Sequence, residues 1–444
     1  MFILGLIFVA CLPLYLIRFS IFGFPTTVLE ILLLVWLAFW LKENYQGILT
    51  RLKQNFKKGQ IKNPYPFSWE IILLILISFS AVITAHFSMS ALGLWRAYFI
   101  EPVIAFILFF NTFNSKEKIY KAISVLSFTT IVLGLVAAYQ YLTGQFIPNE
   151  FWAQLSERRA TSIFPYPNAL GLYMAPLACL FAGSFVSSLR ENRRRAILYG
   201  VGFFVAVISI ALARSEGALI AVAAALFIML FLSNLKARLV AFGLAVVIAL
   251  ATIFSLPLRA YSLEKLSLND FSGQIRRFQW RETLIMLNDN RILTGAGLGQ
   301  YQKIITPYHQ KGFFFNKEKM SNEEFVKKIK DDKVFRDSHW QPLEIYLYPH
   351  NIFLNFWSEL GLLGALLFVW IILRFLWQSI KNYFVLLKQK DTLAFISLGL
   401  FGAILAIVIQ GLVDVPYLKN DLAMMFWLFI SFLGFICVKS YKKL

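Results

Sequence analysis

The sequence predicts an all-α protein that crosses a membrane many times. Of its 444 residues, 59% are hydrophobic and only 15% are charged, and the mean hydropathy is +0.66. Soluble domains hold about 45–50% apolar residues, so the composition excludes the secreted, nuclear and cytosolic classes. A membrane-spanning helix needs about 20 mostly apolar residues, and the chain contains twelve such runs.

These runs define about twelve predicted transmembrane helices. The first run has no small-residue cleavage site after it and leads into a second apolar run, so we interpret it as a retained helix and not as a signal peptide. Cys11, Cys179 and Cys437 lie within apolar runs, which predicts space-filling thiols and no disulfide scaffold. The approximate limits of the runs are 1 to 18, 22 to 41, 67 to 86, 96 to 113, 122 to 142, 169 to 188, 197 to 213, 217 to 233, 239 to 258, 350 to 373, 392 to 412 and 422 to 438.

The distribution of basic residues predicts that both termini are cytoplasmic. The net charge of +19 needs no nucleic acid partner, because membrane proteins concentrate Lys and Arg in their cytoplasmic loops. Twelve crossings put both termini on one side of the membrane. The basic residues of the even-numbered connections and the tail are Lys42, Arg51, Lys53, Lys57, Lys58, Lys62, Lys116, Lys118, Lys121, Arg190, Arg193, Arg194, Arg195, Lys236, Arg238, Lys381, Lys388, Lys390, Lys439, Lys442 and Lys443. The short opposite loops carry only Arg18, Arg96, Arg158, Arg159, Arg214 and Lys419.

One long polar connection divides the predicted chain into three parts. Nine spans over 1–258 are followed by an external loop domain over 259–349, and three more spans and a cytoplasmic tail occupy 350–444. A loop of this length is usually functional. Long loops also translocate regardless of their charge, so its basic residues do not conflict with the orientation.

Two helices are predicted within the external loop. Residues 276–290 form an amphipathic pattern that ends in a flexible turn around Gly295, Gly297 and Gly299. Residues 317–336 are strongly charged and predict a second helix.

Charged residues at the membrane surface are the first candidates for a functional site. An ionisable group near hydrocarbon is costly, so each such residue is a candidate for a functional role. The alternative is that its side chain only reaches the polar interface of the membrane. Arg96 and Glu101 fit a structural ion pair and a substrate contact equally well, whereas His86 fits an interfacial histidine better. The segment Arg214 to Gly217 joins two apolar runs almost without a loop. A tight turn there needs Gly217 but neither Arg214 nor Glu216, so a functional interpretation is favoured.

An arginine cluster lies on the first loop helix. Arg276 and Trp280 share one face of the helix, and Arg277 and Arg281 occupy the neighbouring strip. Guanidinium groups suit phosphate or pyrophosphate oxygens. Attraction to anionic lipid headgroups explains the same spacing equally well.

A histidine stands where the loop re-enters the membrane. His350-Asn351 follows Pro349, and a histidine of near-neutral pKa can accept a proton from an attacking hydroxyl. A histidine that only caps a helix is the common alternative. Arg159 and Asp414 are predicted on the same external side. The sequence has no P-loop, G-x-S-x-G, H-E-x-x-H or paired Cys/His set, which disfavours a nucleotide-driven pump and a metalloprotease.

These motifs together resemble the O-antigen ligase and O-antigen polymerase-like family of bacterial membrane glycosyltransferases. The resemblance covers about 155 to 430. It is carried by Arg276-x-x-x-Trp280, Gly295-Ala296-Gly297-Leu298-Gly299-Gln300-Tyr301, His350-Asn351-x-x-Leu354, Glu359-Leu360-Gly361-Leu362-x-Gly364, Pro167-Asn168-Ala169-Leu170, Ser215-x-Gly217-Ala218 and Gly411-Leu412-Val413-Asp414.

The resemblance implies both an architecture and a reaction. It implies a C-type (GT-C-like) membrane glycosyltransferase with about a dozen spans and a large periplasmic loop. Such an enzyme transfers a glycan from an undecaprenyl diphosphate donor to an acceptor hydroxyl, on lipid A core or on another glycan, without a metal ion or other cofactor. The implied location is the bacterial inner membrane.

The resemblance also assigns residues. His350 is implied as the base or acceptor-orienting group, and Arg276 as the arginine that engages the donor diphosphate, with Arg277 as its rival. The Ser-Arg-Gly-Ala turn of the family reads Ser215-Glu216-Gly217-Ala218 here. Either Arg214 takes the role of the missing arginine, or Glu216 has a different role in acceptor binding or as a base. The remaining predicted donor-binding or acceptor-binding residues are Arg277, Arg281, Glu216, Arg159, Asn351 and Asp414.

Three functional hypotheses follow from the sequence. The first is a glycan ligase acting on lipid A core, and a polymerase of the same family differs from it only in its acceptor. The second is a transporter or flippase for lipid-linked sugars, although a transporter built from two matching halves does not predict one large loop after the ninth span. A structural scaffold is the third, and it gives no reason for charges gathered on one face.

Overall fold

A computed structural model describes residues 1–58, 65–189 and 191–441, without the side chains of residues 24, 48, 49, 51–58 and 441. Predictions that concern Lys62, Arg190, Lys442 and Lys443 therefore lie outside the described residues, as do the side chains of Arg51, Lys53, Lys57 and Lys58.

The described chain is mainly helical. Its α-helices are α1 Phe2–Ala10, α2 Val28–Lys58, α3 Ser68–Thr84, α4 Met89–Trp95, α5 Glu101–Thr112, α6 Lys116–Thr143, α7 Glu150–Ala153, α8 Pro167–Ser188, α9 Arg193–Leu212, α10 Glu216–Leu232, α11 Leu235–Phe254, α12 Leu256–Leu266, α13 Phe271–Asn288, α14 Tyr301–Ile305, α15 Asn322–Asp331, α16 Lys333–His339, α17 Ile352–Lys388, α18 Leu393–Gly411 and α19 Asn420–Tyr441. Short 3₁₀ turns cover Leu12–Leu16 and Thr306–Tyr308, and a π-helical turn, Arg96–Ile100, joins α4 to α5.

Two small antiparallel hairpins complete the secondary structure of the described residues. Strand β1, Arg18–Ile21, pairs with β2, Phe24–Thr27, so that Arg18 lies opposite Thr27. Strand β3, Gly312–Phe314, pairs with β4, Trp340–Pro342, within the loop segment.

The prediction of an all-α protein with many membrane spans is confirmed, but the count of twelve is not. Among the described residues, α3 and α10 are apolar but shorter than a typical span. The first predicted run breaks, because α1 ends at Ala10, a 3₁₀ turn containing Pro13 follows, and the β1–β2 hairpin begins at Arg18. Proline supplies no backbone N–H for a continuing helix. In the part of the chain that the structure describes, eight segments are long and apolar enough to cross a membrane: Met89–Thr112, Lys116–Thr143, Pro167–Ser188, Arg193–Leu212, Leu235–Phe254, Ile352–Lys388, Leu393–Gly411 and Asn420–Ser440.

The packed centre of the bundle contains α8, α18 and α19. Within their most apolar windows, 83%, 78% and 83% of residues are buried, compared with 6% in α11. Helices α8 and α18 cross closely where Gly183 meets Gly399. A Cβ atom at Gly183 would lie only 2.6 Å from the Gly399 Cα, so the glycines permit the contact, as small residues do between helices in membranes. This rigid centre fixes the ends of α8 and α18, which carry part of the candidate site.

The loop segment is more ordered than its sequence suggests. The predicted helix over residues 276–290 is the main part of α13, and the charged stretch over 317–336 forms α15 and α16. Asp332 separates these two helices because its side chain accepts hydrogen bonds from the amides of Val334 and Phe335 and so caps α16.

The expectation of a flexible glycine turn is wrong. Gly295 and Gly297 are buried, and the amide of Gly299 donates to Glu359 Oε2 at 2.5 Å. The amide of Ala296 donates to the Ser358 carbonyl at 2.7 Å. The glycine motif and the Glu359-Leu360-Gly361 motif therefore form one junction that attaches the loop segment to α17.

Replacing Gly361 with alanine is expected to destabilise this junction. Gly361 interrupts α17 with φ 78° and ψ 178°, and a Cβ atom there would overlap the Leu293 carbonyl. Strain of this kind costs about 1–3 kcal/mol. Thermal unfolding in detergent, followed by tryptophan fluorescence, should show a lower midpoint for Gly361→Ala. Gly243→Ala is the matched control, since nothing lies within 4 Å of the added Cβ on α11; equal midpoints for the two variants would contradict the strained junction.

Candidate active site

A polar pocket of about 280 Å³ lies where the first turns of α10 and α13 meet the residues beside α8 and the α18–α19 connection. We call it the arginine pocket. It contains the cationic side chains of Arg159, Arg214, Lys265 and Arg276 and the carboxylates of Glu216, Asp270 and Asp414. The structure thus brings together five residues that the sequence predicted from distant segments: Arg159, Arg214, Glu216, Arg276 and Asp414. The N-termini of α8, α10 and α13 all lie at this pocket, and helix N-termini favour anions.

Arg159 braces the turn that carries Arg214. Its Nε donates to the Ala213 carbonyl at 2.9 Å, and its Nη2 donates to Asn168 Oδ1 at 3.0 Å. Burial lowers the pKa of Arg159, and the nearby charge of Arg214 lowers it further. Two guanidinium groups so close together are stabilised by an anion between or beside them.

Arg214 adopts an uncommon backbone conformation. Its φ is 48°, a region that few residues with a Cβ atom occupy. Its Nη1 donates to the Ser156 carbonyl at 3.1 Å and lies 4.0 Å from Glu157 Oε2. The left-handed turn lets α10 begin directly at Glu216, which places Arg214 at the pocket rim.

Arg276, and neither of its neighbours, reaches the arginine pocket. Its Nε donates to the Val413 carbonyl at 2.9 Å, which fixes the guanidinium plane. Within the described residues, its two terminal nitrogens make no hydrogen bond to the chain. Arg277 is exposed and bonds to Asn269 at 3.1 Å. Arg281 is also exposed, because residues one and five positions further along a helix point away from Arg276.

Glu216 belongs to an ion-pair cluster that the sequence did not predict. Lys265 Nζ lies 2.6 Å from Glu216 Oε2 and 3.0 Å from Asp270 Oδ2, and the Tyr261 hydroxyl donates to Glu216 Oε1 at 2.9 Å. Burial lowers the pKa of Lys265, but its bonds to the two carboxylates outweigh burial and raise it. Lys265 therefore keeps a positive charge beside Glu216. The only signal in the sequence was the acidic residue at 216. A carboxylate within a site that binds anions needs a nearby cation to balance its charge.

His350 is held as a neutral base next to this pocket. Its φ is 45°, and its ring lies between Tyr346 and Tyr348, with ring centroids 5.1 and 5.0 Å away. Its Nδ1 lies 2.9 Å from Gln279 Oε1. In the neutral tautomer with its proton on Nδ1, His350 donates to this oxygen and Nε2 keeps its lone pair.

The surroundings of His350 also favour the neutral ring. Burial lowers its pKa below the ordinary 6.5, Asp414 opposes this shift, and Arg276 adds to it. Gln279 was not predicted from the sequence. Its position three residues after Arg276 is the signal that could have identified it, since both side chains then lie on one face of α13.

Two predicted residues have mainly structural contacts. Asn351 caps α17, because its Oδ1 accepts from the amides of Phe353 and Leu354, and its Nδ2 donates to the Leu412 carbonyl at 3.1 Å. It does not line the arginine pocket. Arg96 pairs with Glu101 at 3.0 Å and with Glu30 at 3.1 Å, which supports the structural alternative for that pair. Within the described ranges, no cluster of three or more His, Cys, Asp or Glu side chains is placed to hold a metal ion.

A family model matches the middle of the chain. Residues 201–369 match the family model described as O-antigen ligase, which confirms the resemblance to an O-antigen ligase-like family. The match runs from α9 into α17 and contains Arg214, Glu216, Arg276 and His350, whereas Arg159 and Asp414 lie outside it. No curated protein matches the chain. The family match and the apolar helices together support a multi-pass membrane protein similar to O-antigen ligases and polymerases.

Proposed function

We propose that the protein transfers a glycan from an undecaprenyl diphosphate-linked donor to an acceptor hydroxyl, without a metal ion. The observation that carries this proposal is the arginine pocket beside a neutral histidine. Arg159, Arg214 and Arg276 offer planar cations that match diphosphate oxygens. The match to the O-antigen ligase model supports this class of reaction.

The reaction separates charge in a way that this site can stabilise. The acceptor oxygen bonds to the anomeric carbon as the bond from that carbon to the diphosphate oxygen breaks. The diphosphate leaves with the electron pair, and Arg276, Arg214 and the helix N-termini stabilise its charge. His350 Nε2 takes the acceptor proton. No nucleotide is consumed because the donor diphosphate is already an activated leaving group.

The proposal includes a membrane orientation. The concentration of basic residues in the connections opposite the loop segment supports an arginine pocket on the periplasmic side, and we propose that both termini are cytoplasmic. The lipid tail of the donor would lie along the bundle in the bilayer of the inner membrane, with its diphosphate at the membrane surface. The acceptor that we propose first is lipid A core, which makes the protein an O-antigen ligase.

Donor turnover tests the proposal. Purified protein is incubated with lipid-linked glycan, a metal chelator and either lipid A core or no second acceptor, and released undecaprenyl diphosphate is measured. Wild-type protein should release it, and His350→Ala and Arg276→Ala should not. A single glycan added to lipid A core identifies a ligase, and lengthened lipid-linked glycan identifies a polymerase. Movement of lipid-linked sugar across vesicles without any release would establish a transporter and refute the proposal.

Lys265 is expected to contribute to donor turnover through its charge. Lys265→Met removes a cation and leaves Glu216 facing Asp270, so we expect about 10- to 100-fold slower release, as for the loss of a hydrogen bond to a charged group. Exchanging the pair, Glu216→Lys with Lys265→Glu, keeps a cation at the pocket and should recover most of the rate.

A second lysine provides the matched control. Lys319 pairs with Glu264 on the same helix α12, also at 2.6 Å, and neither residue lines the arginine pocket. Lys319→Met should leave release unchanged. If Lys265→Met and Lys319→Met behave alike, Lys265 has no role in the reaction.

A further inference from the structure

A second cavity of about 510 Å³ lies next to the candidate active site and shares no lining residue with the arginine pocket. His350 links the two. Its ring packs against Tyr348, which lines the second cavity, while Arg276 and Asp414 of the arginine pocket act on its charge. We call the second space the tyrosine cavity.

The lining of the tyrosine cavity has the chemistry of a sugar-binding site. Tyr15, Tyr98, Tyr166, Tyr301 and Tyr348 contribute aromatic rings with hydroxyl groups, and Gln302 and Asn355 contribute amides. A tyrosine ring offers an apolar face with a polar tip. Pyranose rings have apolar C–H faces and polar edges, so they match a lining that combines apolar side chains and tyrosine rings with hydroxyls and amides.

A chain of polar groups in the tyrosine cavity ends at Tyr348, whose ring packs against His350. Lys419 Nζ donates to the Tyr166 hydroxyl and lies 4.1 Å above the centre of that ring. The Tyr166 and Tyr348 hydroxyls are 3.2 Å apart. Burial lowers the pKa of Lys419, against the opposing charges of Asp421 and Asp414, whereas burial raises the pKa of Tyr348 to about 12. The tyrosine hydroxyls thus stay protonated, and the chain offers donors and acceptors at the wall that faces His350.

Reaction geometry decides which saccharide the cavity would take. In a displacement at the anomeric carbon, the entering oxygen and the leaving diphosphate oxygen lie on opposite sides of that carbon. The diphosphate is proposed to bind in the arginine pocket. The entering hydroxyl then approaches the anomeric carbon from the opposite side, where His350 takes its proton. The tyrosine cavity reaches His350 through Tyr348 and shares no lining residue with the arginine pocket.

We propose that the tyrosine cavity binds the terminal saccharide of the acceptor and presents its hydroxyl to His350 Nε2. This inference rests on the proposed function, since it assigns the acceptor subsite of the same reaction. Tyr166 and Lys419 are the positioning residues, because they fix the cavity wall and do not touch the reacting atoms.

Separate donor and acceptor titrations test the assignment. The acceptor probes are delipidated lipid A core oligosaccharide and one glycan repeat released from its lipid, and the donor probe is glycan-free undecaprenyl diphosphate. The variants are Lys419→Met and Tyr166→Phe, the second of which keeps the ring if the first fails to fold. Both should weaken binding of at least one saccharide about 10-fold and leave binding of undecaprenyl diphosphate unchanged.

Two further variants make the outcome specific. Lys303→Met removes an exposed cation of α14 that does not line the cavity, and saccharide binding should not change. Arg276→Ala should lose undecaprenyl diphosphate and keep the saccharide. The assignment is overturned if no saccharide binds, if both cavity variants bind it like wild type, or if only Arg276→Ala loses it. Failure of the proposed function is separate, since wild-type protein would then release no undecaprenyl diphosphate from the lipid-linked donor.

Discussion

Arg276→Ala is expected to slow release of undecaprenyl diphosphate by about 10²–10³-fold, the usual loss when one preorganised donor to a developing negative charge is removed. The Val413 carbonyl holds Arg276 through Nε, so its terminal nitrogens are oriented before the donor binds. Arg277→Ala should change the rate by less than about two-fold, because Arg277 points to Asn269 outside the pocket. The sequence left these two arginines as rivals, and turnover of the two variants separates them.

Arg276→Lys adds a sharper test of geometry. Lysine keeps the charge but has no Nε–H for the Val413 carbonyl and no planar pair of donors, so most of the activity should be lost. Arg281→Ala serves as a second control on the exposed side of α13. A larger loss in Arg277→Ala or Arg281→Ala than in Arg276→Ala would mean that α13 presents a different face to the donor.

The candidate site was partly predictable because its residue types are chemically unusual at a membrane surface. Arg214, Glu216 and Arg276 are charges that hydrocarbon does not tolerate without a function, and all three line one pocket. Helical spacing placed Arg276 and Arg277 on neighbouring strips, but it could not say which strip faces the bundle. That choice depends on Val413, 137 positions away in the chain.

Contacts between distant segments account for most of what the sequence did not predict. Lys265 joins Glu216 across two helices, and linear spacing contains no trace of this pairing. The tyrosine cavity combines residues from Tyr15 to Lys419, each unremarkable by itself. The first predicted run is interrupted for a local reason, since hydropathy averages over Pro13 and over the hairpin that follows.

The glycine motifs illustrate a different failure. Glycines in a polar loop were interpreted as flexibility, yet Gly295 and Gly297 are buried and the motif is bonded to α17. Positive φ angles at Gly295, Gly297 and Gly299 explain why these residues are glycine. Their role is to attach the loop segment firmly, so that α13 presents Arg276 and Gln279 to the site in fixed positions.

His350→Ala should lower the rate of glycan transfer by about 10²–10⁴-fold, the range that general-base catalysis contributes. Transfer by wild-type protein should also fall at low pH, because Nε2 must be unprotonated to accept the hydroxyl proton. Burial and Arg276 lower the pKa of His350, so the midpoint of this acid limb should lie below 6.5. The measurement is the pH dependence of kcat/KM for the acceptor, and loss of the limb is expected in His350→Ala.

Asp414 is expected to influence the pH at which the acid limb of the transfer rate falls. Its negative charge raises the pKa of His350, so Asp414→Asn should lower that pKa further and move the acid limb to still lower pH. Asp337→Asn is the matched control, because Asp337 pairs with Arg336 in the loop at 3.6 Å and should leave the limb in place. A limb that moves to higher pH in Asp414→Asn, or one that persists in His350→Ala, would show that another group accepts the proton, and the tyrosine cavity would then lose its link to the reacting hydroxyl.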